Sequence, residues 1–135
     1  MGQPGVILLD THVALWLALE PGQISARAHA AIDAARADGT GLAICDISLA
    51  EIATAYAKHR FTLTVPLDSF LDATESRFKV FPITARVCAR TVTLPASYPR
   101  DPADRLIAAT ALVHGLSLVT ADRSIRKSRA VPTIW

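Results

Sequence analysis

Short, uninterrupted apolar segments alternate along the chain with longer segments in which apolar residues recur every three or four positions. The short segments are typical of β-strands that are buried on both faces of a parallel sheet. The longer segments are typical of helices that bury one face and expose the other. Five strands are predicted in this way, at residues 6–9, 41–45, 79–83, 116–119 and 131–134.

Glycine and proline residues mark the ends of the helices between these strands. Gly115, for example, follows the most regular helical segment, and Pro21 and Gly22 end the first one. Alternating strands and helices of these lengths predict an α/β fold, in which helices cover both faces of a mainly parallel sheet of four to five strands. The predicted helices span residues 11–20, 25–38, 48–59, 67–77, 85–93 and 101–114, and a short helix carries Arg123 and Arg126.

Length and composition narrow the class of protein. The chain has 135 residues, of which 51% are hydrophobic and 19% charged, so we expect one globular domain over residues 1–135 and no disordered linker. The apolar stretch 6–19 is interrupted by Asp10 and His12 and has no basic flank, which argues against a signal peptide or membrane span and favours a cytoplasmic protein. Cys45 and Cys88 lack CxxC spacing and are expected to be reduced core residues.

Four carboxylates recur at equivalent places in this pattern. Asp10 and Asp122 follow predicted strands, and Glu51 and Asp104 lie in the first turns of predicted helices. In an open α/β sheet, polar groups at the carboxyl ends of the strands line the crevice where ligands bind. We therefore expect these four acids to converge.

Helix capping offers a simpler reading of each acid taken alone. Asp101 suits the N-cap of a helix that has Asp104 in its first turn, where an acid is favourable to the helix dipole. Ser48 and Glu51 have the spacing of a capping box. Asp10 suits a turn between a strand and a helix, and Asp122 suits the N-cap of the next helix.

The joint pattern favours a binding site, because caps can equally use serine, threonine or asparagine. Two carboxylates about 4 Å apart repel by roughly 4 kcal/mol at an effective dielectric constant near 20, so four together need protons or a cation. Oxygen ligands without histidine or cysteine at metal-ligand spacing favour Mg²⁺ or Mn²⁺ over zinc. Such a site suits the hydrolysis of phosphodiesters.

The charge balance also favours an anionic partner. The formal net charge is +2, so the rest of the chain would carry +6 if a cation neutralised the four acids. Arg123, Arg126, Lys127 and Arg129 cluster next to Asp122 and could bind phosphates. A solvated helix end explains the same cluster equally well.

With these residues, the chain resembles the PIN domain family, and within it the VapC-type toxin ribonucleases of type II toxin–antitoxin pairs. The resemblance covers almost the whole chain, through LLDTHVALW, ISLAEIATAYAKHR and DPADRLIAATALVHGLSLVTAD. It implies a three-layer α/β/α PIN-like fold and four acidic active-site positions that hold Mg²⁺ or Mn²⁺ and activate the attacking water. Those catalytic positions are Asp10, Glu51, Asp104 and Asp122, with Asp10, Asp104 and Asp122 as metal ligands.

Neighbouring polar residues are assigned supporting roles on the same resemblance or by their place beside the acids. Thr11, Ser48, Asp101 and Thr120 are expected to support the acids, although capping explains Thr11 and Ser48 as well. Arg105 is a candidate for RNA contact, with a salt bridge to a neighbouring acid as the alternative. Further candidate RNA-binding residues are Arg123, Arg126 and Lys127.

The resemblance also implies partners and products. It implies endonucleolytic cleavage of RNA that leaves a 5′-phosphate, a cognate VapB-like antitoxin that covers the groove, and a homodimer. Helices 11–19 and 48–59 are apolar enough to form the dimer interface, but burial in the core explains the same residues.

Two other classes of protein share parts of this pattern. A haloacid-dehalogenase-like phosphatase needs a second aspartate two positions after the first, where this chain has His12. A non-catalytic PIN-like RNA- or protein-binding module is the stronger alternative, although such modules commonly lose site acids and this chain has all four.

Overall fold

The fold is built around a five-stranded parallel sheet, as the sequence predicts. The computed structural model describes residues 5–39 and 41–135. The predicted α/β class, parallel pairing and three layers are confirmed. The strands are β1 (Ile7–Leu9), β2 (Leu42–Cys45), β3 (Lys79–Phe81), β4 (Ser117–Val119) and β5 (Thr133–Ile134), and the helices are α1 (Thr11–Leu19), α2 (Ala26–Ala37), α3 (Ile47–Ala57), α4 (Leu67–Arg77), α5 (Ala85–Thr91), α6 (Pro102–His114) and α7 (Arg123–Ser128).

The order of the strands fixes where a ligand site can form. Across the sheet the order is β3-β2-β1-β4-β5, so β1 is central and pairs with β2 on one side and β4 on the other. The connections that leave the carboxyl ends of β1 and β4 therefore run in different directions. This is the topological switch point at which open α/β sheets form a crevice.

Two cores lie on opposite faces of the sheet, because consecutive strand residues point to opposite faces. Leu8 and Leu118 belong to one core, together with residues of α6 and α7. Leu9 and Val119, their neighbours along the strands, belong to the other core, which is covered by α1 and α2. All four side chains have no exposed surface. The predicted burial of these strands on both faces is thus confirmed.

Most element boundaries agree with the sequence to within one or two residues. Gly115 ends α6 in the left-handed conformation, with φ of 67°, as expected for a helix C-terminus. The expectation that both cysteines are core residues is wrong for Cys88, which is exposed on α5, whereas Cys45 is buried in β2. Among the described helices, none combines the length and apolarity needed to cross a membrane.

Candidate active site

Asp10 is held rigidly at the carboxyl end of the central strand. Its side chain is buried, and its backbone N–H donates to the carbonyl of Val119 at the end of β4 (3.0 Å). Oδ1 accepts a hydrogen bond from the N–H of Thr11 (3.0 Å), and Oδ2 accepts one from the hydroxyl of Thr120 (2.7 Å). Both carboxylate oxygens are therefore fixed by groups from two adjacent strand ends.

Thr120 connects two of the four acids. Its hydroxyl, fully buried, donates to Asp10 and accepts from the N–H of Asp122 (3.1 Å). Asp122 in turn accepts a hydrogen bond from the N–H of Ile125 (3.0 Å), which confirms its N-cap position on α7. The sequence places Thr120 two residues before Asp122, and the structure adds the hydrogen bond to Asp10.

His12 is a further neighbour of Asp10. Its Nδ1 lies 3.6 Å from Oδ2 of Asp10, and its Nε2 accepts a hydrogen bond from the N–H of Ala121 (3.1 Å). Because Nε2 is an acceptor, the ring proton of the neutral imidazole belongs on Nδ1, which faces the carboxylate. His12 thus ties the start of α1 to the loop that carries Asp122.

A chain of hydroxyls reaches the second acid. Thr11 donates to Glu51 (2.5 Å) and lies 2.9 Å from the hydroxyl of Ser48. The predicted capping box of Ser48 and Glu51 is wrong, because α3 begins at Ile47 and Ser48 is fully buried within its first turn. The Ser48 hydroxyl is directed across to α1 instead.

The pKa of Glu51 depends on its burial and on the groups around it. Burial raises the pKa of Glu51, and the nearby carboxylates of Asp10 and Asp101 raise it further, against the opposing hydrogen bond from Thr11. The raised pKa of Glu51 therefore reflects its burial first and its acidic neighbours second.

Asp104 has a different environment from Asp10. Asp101 is confirmed as the N-cap of α6, since its Oδ2 accepts from the N–H of Asp104 (3.0 Å). The Asp104 carboxylate itself has neither a hydrogen bond nor an ion pair within the described residues. Burial raises its pKa to about 7, and the charges of Asp10, Asp101, Glu51 and Asp122 contribute to the increase. The four predicted acids therefore share one electrostatic environment.

Three of these acids line one groove. Asp10, Glu51 and Asp104 lie along a cavity of about 560 Å³, together with Asp101, and Asp122 is not part of its lining. Among the described residues, no three His, Cys, Asp or Glu side chains are grouped closely enough to hold a metal ion as placed. The donors are nevertheless carboxylates, and the pKa values of Glu51 and Asp104 are raised, which suits a hard cation. The residues fit Mg²⁺ or Mn²⁺ in their chemistry, and an ion would have to draw the side chains together.

The predicted basic residues divide into two groups. Arg105 forms no salt bridge with any described residue, and its guanidinium instead donates to the carbonyls of Thr91 and Tyr98 (both 3.4 Å), which ties α6 to the segment before it. The other cations are exposed and line a surface depression of about 640 Å³ on and after α7. They are Arg123, Arg126, Lys127 and Arg129.

Two residues near the site were not singled out from the sequence. Asp46 follows β2 and accepts from the N–H of Ile83 (3.2 Å), so it fixes the end of β3. Tyr98 is 1% exposed, and within the described chain its hydroxyl is the single buried side-chain N or O atom without a hydrogen-bond partner. Burial and the charges of Asp10, Asp104 and Asp122 raise the pKa of Tyr98. No sequence pattern marks it, because an isolated tyrosine in a loop has no periodicity.

Comparisons with known proteins agree with this geometry. Ribonuclease VapC22 of Mycobacterium tuberculosis is 42% identical over 131 residues, which cover 96% of this chain and 98% of the relative. A DNA-bound VapBC from Salmonella typhimurium has the same fold, with a TM-score of 0.71 at 18% identity over 98% of this chain and 97% of that chain. VapBC2 from Rickettsia felis, bound to a promoter DNA fragment, has a TM-score of 0.63 at 18% identity over 95% and 96%.

A protein-family model also matches the chain. The PIN domain model matches residues 7–130, a range that begins at β1 and includes α7 and all four acids. The match and the 42% identical relative agree over nearly the full chain. The chain belongs to the PIN domain family.

Proposed function

We propose that this protein is a metal-dependent endoribonuclease that acts as the toxin of a toxin–antitoxin pair. The observation that carries the proposal is Asp104, a half-buried carboxyl with no donor among the described residues and a pKa of about 7, set in a groove beside Asp10 and Glu51. Its arrangement suits a site that receives a cation. The similarity to a protein named as a ribonuclease supports RNA as the substrate.

Asp10, Asp104 and Asp122 are the proposed ligands of Mg²⁺ or Mn²⁺. When bound, the ion would polarise the phosphoryl group and make water a better nucleophile. Asp10 would orient the site, since its oxygens are fixed by Thr11 and Thr120. Water would attack phosphorus while the 3′-oxygen leaves, giving a 5′-phosphate.

Glu51 is proposed as the residue that orients or deprotonates the attacking water. Its carboxyl is anchored on one oxygen by Thr11, and its raised pKa brings it closer to the operating pH of a general base. Ser48 supports that anchor from within α3.

The partners are proposed on the same basis. The structures with similar folds include toxin–antitoxin complexes, which supports a VapB-like antitoxin that covers the acidic groove. The α7 cations Arg123, Arg126 and Lys127 are proposed to contact RNA phosphates, and Arg105 is proposed to act mainly through the backbone it holds. A homodimer and a cytoplasmic location complete the proposal.

One observation favours a second candidate, a non-catalytic PIN-like binding module. Among the described residues the acids as placed do not form a three-ligand group. A module that binds RNA or protein without cleaving would not need one.

The test is cleavage of a mixed pool of structured and unstructured RNA by the purified protein with Mg²⁺, with Mn²⁺ and with EDTA. Asp104→Asn should abolish cleavage, whereas Asp33→Asn, which removes an exposed charge from α2, should leave it unchanged. Cleavage that persists in Asp104→Asn or in EDTA would exclude the proposed site. Binding of RNA without cleavage under all conditions would favour the module.

A further inference from the structure

The acidic groove continues well beyond the acids. From Asp10 and Glu51 it runs between α1 and α3 and reaches Lys58 and Arg60, just after α3. The lining is therefore of mixed charge: Asp10, Glu51, Asp101 and Asp104 form an acidic cluster, Lys58 and Arg60 lie after α3, and Glu20 lies after α1. A ligand that fills it must tolerate both signs of charge.

The backbone after α3 positions the two cations. His59 adopts the left-handed conformation, with φ of 58°, and its N–H donates to the carbonyl of Tyr56 (3.0 Å). The N–H of Arg60 donates to the carbonyl of Ala55 (3.1 Å), which completes a Schellman motif. This turn reverses the chain, so that Arg60 lines the same groove as Lys58 instead of leading away from it.

No acidic side chain of the described residues pairs with either cation. Lys58 and Arg60 are exposed, and within residues 5–39 and 41–135 neither side chain has a carboxylate partner, although Glu51 lines the same groove. A left-handed conformation at a residue other than glycine costs on the order of 1 kcal/mol. A turn with an unfavourable left-handed residue thus holds both cations in the lining of the groove, where no described carboxylate pairs with them.

Aromatic side chains also line the groove. Trp16 on α1 and Phe61 after Arg60 both line the groove and are partly exposed. Trp16 packs beside Trp135 (ring centroids 5.9 Å apart) and His12 (4.9 Å), and Phe61 packs beside Tyr56 (5.8 Å) and Phe70 (6.3 Å). Partly exposed rings of this kind are the surfaces on which unpaired bases stack.

We propose that the groove between α1 and α3 is the subsite for the unpaired RNA strand next to the cleaved phosphate, with phosphates on Lys58 and Arg60 and a base against Trp16 or Phe61. The inference rests on the proposed function, which places the cleaved phosphate at the acids. The groove volume of about 560 Å³ is that of a small-molecule pocket. It suits one or two splayed nucleotides, whereas duplex RNA is bound across broad, shallow surfaces.

The test measures binding without cleavage. Asp10→Asn protein is titrated into fluorescein-labelled eight-nucleotide RNA of randomised sequence, single-stranded or annealed as duplex, and anisotropy is followed from 50 to 300 mM salt. Lys58→Ala/Arg60→Ala in this background should weaken single-strand binding about tenfold and reduce the slope of log K against log salt by about 1.4, the value for two phosphate contacts. Phe61→Leu should weaken binding by a similar factor without changing the slope.

Arg27→Ala/Arg36→Ala, which removes two exposed cations from α2, is the matched control and should change binding little. The inference is wrong if this control weakens binding as much as the Lys58 and Arg60 pair, or if duplex binds as tightly as single strand. Failure of the wild-type protein to cleave any RNA would overturn the proposed function and leave the binding result standing.

Discussion

Asp10 and Asp104 line the same groove, but they are held in different ways. Asp10 follows the central strand, is buried, and has both carboxylate oxygens hydrogen-bonded. Asp104 lies in the first turn of α6, is half-buried, and accepts no hydrogen bond from the described residues, so burial and its acidic neighbours raise its pKa to about 7. One acid is fixed by the fold, whereas the other is destabilised by it.

The difference separates two requirements of a cation site. A fixed ligand sets the position of the ion, and it can be satisfied by the protein before the ion arrives. An unsatisfied ligand provides the driving force for binding the ion, because the repulsion between this ligand and the neighbouring acids is relieved only by a proton or a cation. The same substitution made at Asp10 and at Asp104 should therefore have opposite effects on the stability of the protein.

The largest contrast is expected from alanine at each position in the metal-free protein at pH 8. Asp10→Ala should lower the free energy of unfolding by about 3 kcal/mol, because it leaves the Thr11 N–H and the buried Thr120 hydroxyl without an acceptor. Asp104→Ala should raise it by about 1 kcal/mol after allowance for partial exposure. Urea denaturation measures both, and a loss of stability in Asp104→Ala would contradict the comparison.

A smaller effect is expected when the support of Asp10 is removed instead of the acid. Thr120→Val keeps the shape but removes the donor to Asp10 and the acceptor for the Asp122 N–H, which should cost about 2 kcal/mol and reduce cleavage by about tenfold. Thr120→Ser is the control, since it keeps the hydroxyl and loses only a buried methyl group. Equal loss of cleavage in both variants would mean that packing, and not the hydrogen bond, is what matters.

The comparison also predicts how stability depends on pH. The pKa of Asp104 is higher in the folded protein than its ordinary value of 3.8, so the folded state binds its proton more tightly. The metal-free protein should therefore lose about 1 kcal/mol of stability as the pH rises from 4 to above 7, and Glu51, whose pKa is also raised, should add to the loss.

Asp104→Asn removes the largest part of this pH dependence and should flatten the melting temperature between pH 4 and 8. Mg²⁺ should restore stability to the wild-type protein at pH 8 more than at pH 5. A wild-type protein whose stability increases steadily over this range would show that Asp104 is not destabilised.

The sequence alone reveals both acids but not the groups that surround them. Asp10 and Asp104 are both visible as acids after a strand and in a first helical turn, because strand and helix periodicity determine those places. The hydroxyl donors are less visible. Ser48 and Glu51 have capping-box spacing in the sequence. In the structure α3 begins at Ile47, so Ser48 is not the cap, and its hydroxyl bonds to that of Thr11.

Long-range contacts account for what the sequence did not predict. Thr120 and Asp10 are 110 positions apart, and their hydrogen bond depends on β1 pairing with β4. The cations Lys58 and Arg60 are an ordinary helix end in the sequence, and their place beside the acids depends on how α3 packs against α1. Local sequence patterns predict the helices and strands, whereas the contacts between distant residues can be predicted only when the order of the strands is known.

The smallest predicted effect concerns the hydroxyl of Tyr98. Tyr98 is the single buried side chain of the described residues with an unbonded polar atom, and the charge of Asp104 contributes to raising its pKa. If the hydroxyl is unbonded, Tyr98→Phe should raise the free energy of unfolding by up to about 1 kcal/mol and leave cleavage unchanged, because a buried polar group without a partner is removed. If the hydroxyl donates to Asp104, directly or through a water molecule, the same variant should lose stability and bind Mn²⁺ less tightly by calorimetry. Asp104 would then be supported in the same way as Asp10, and the contrast between the two acids would be one of degree.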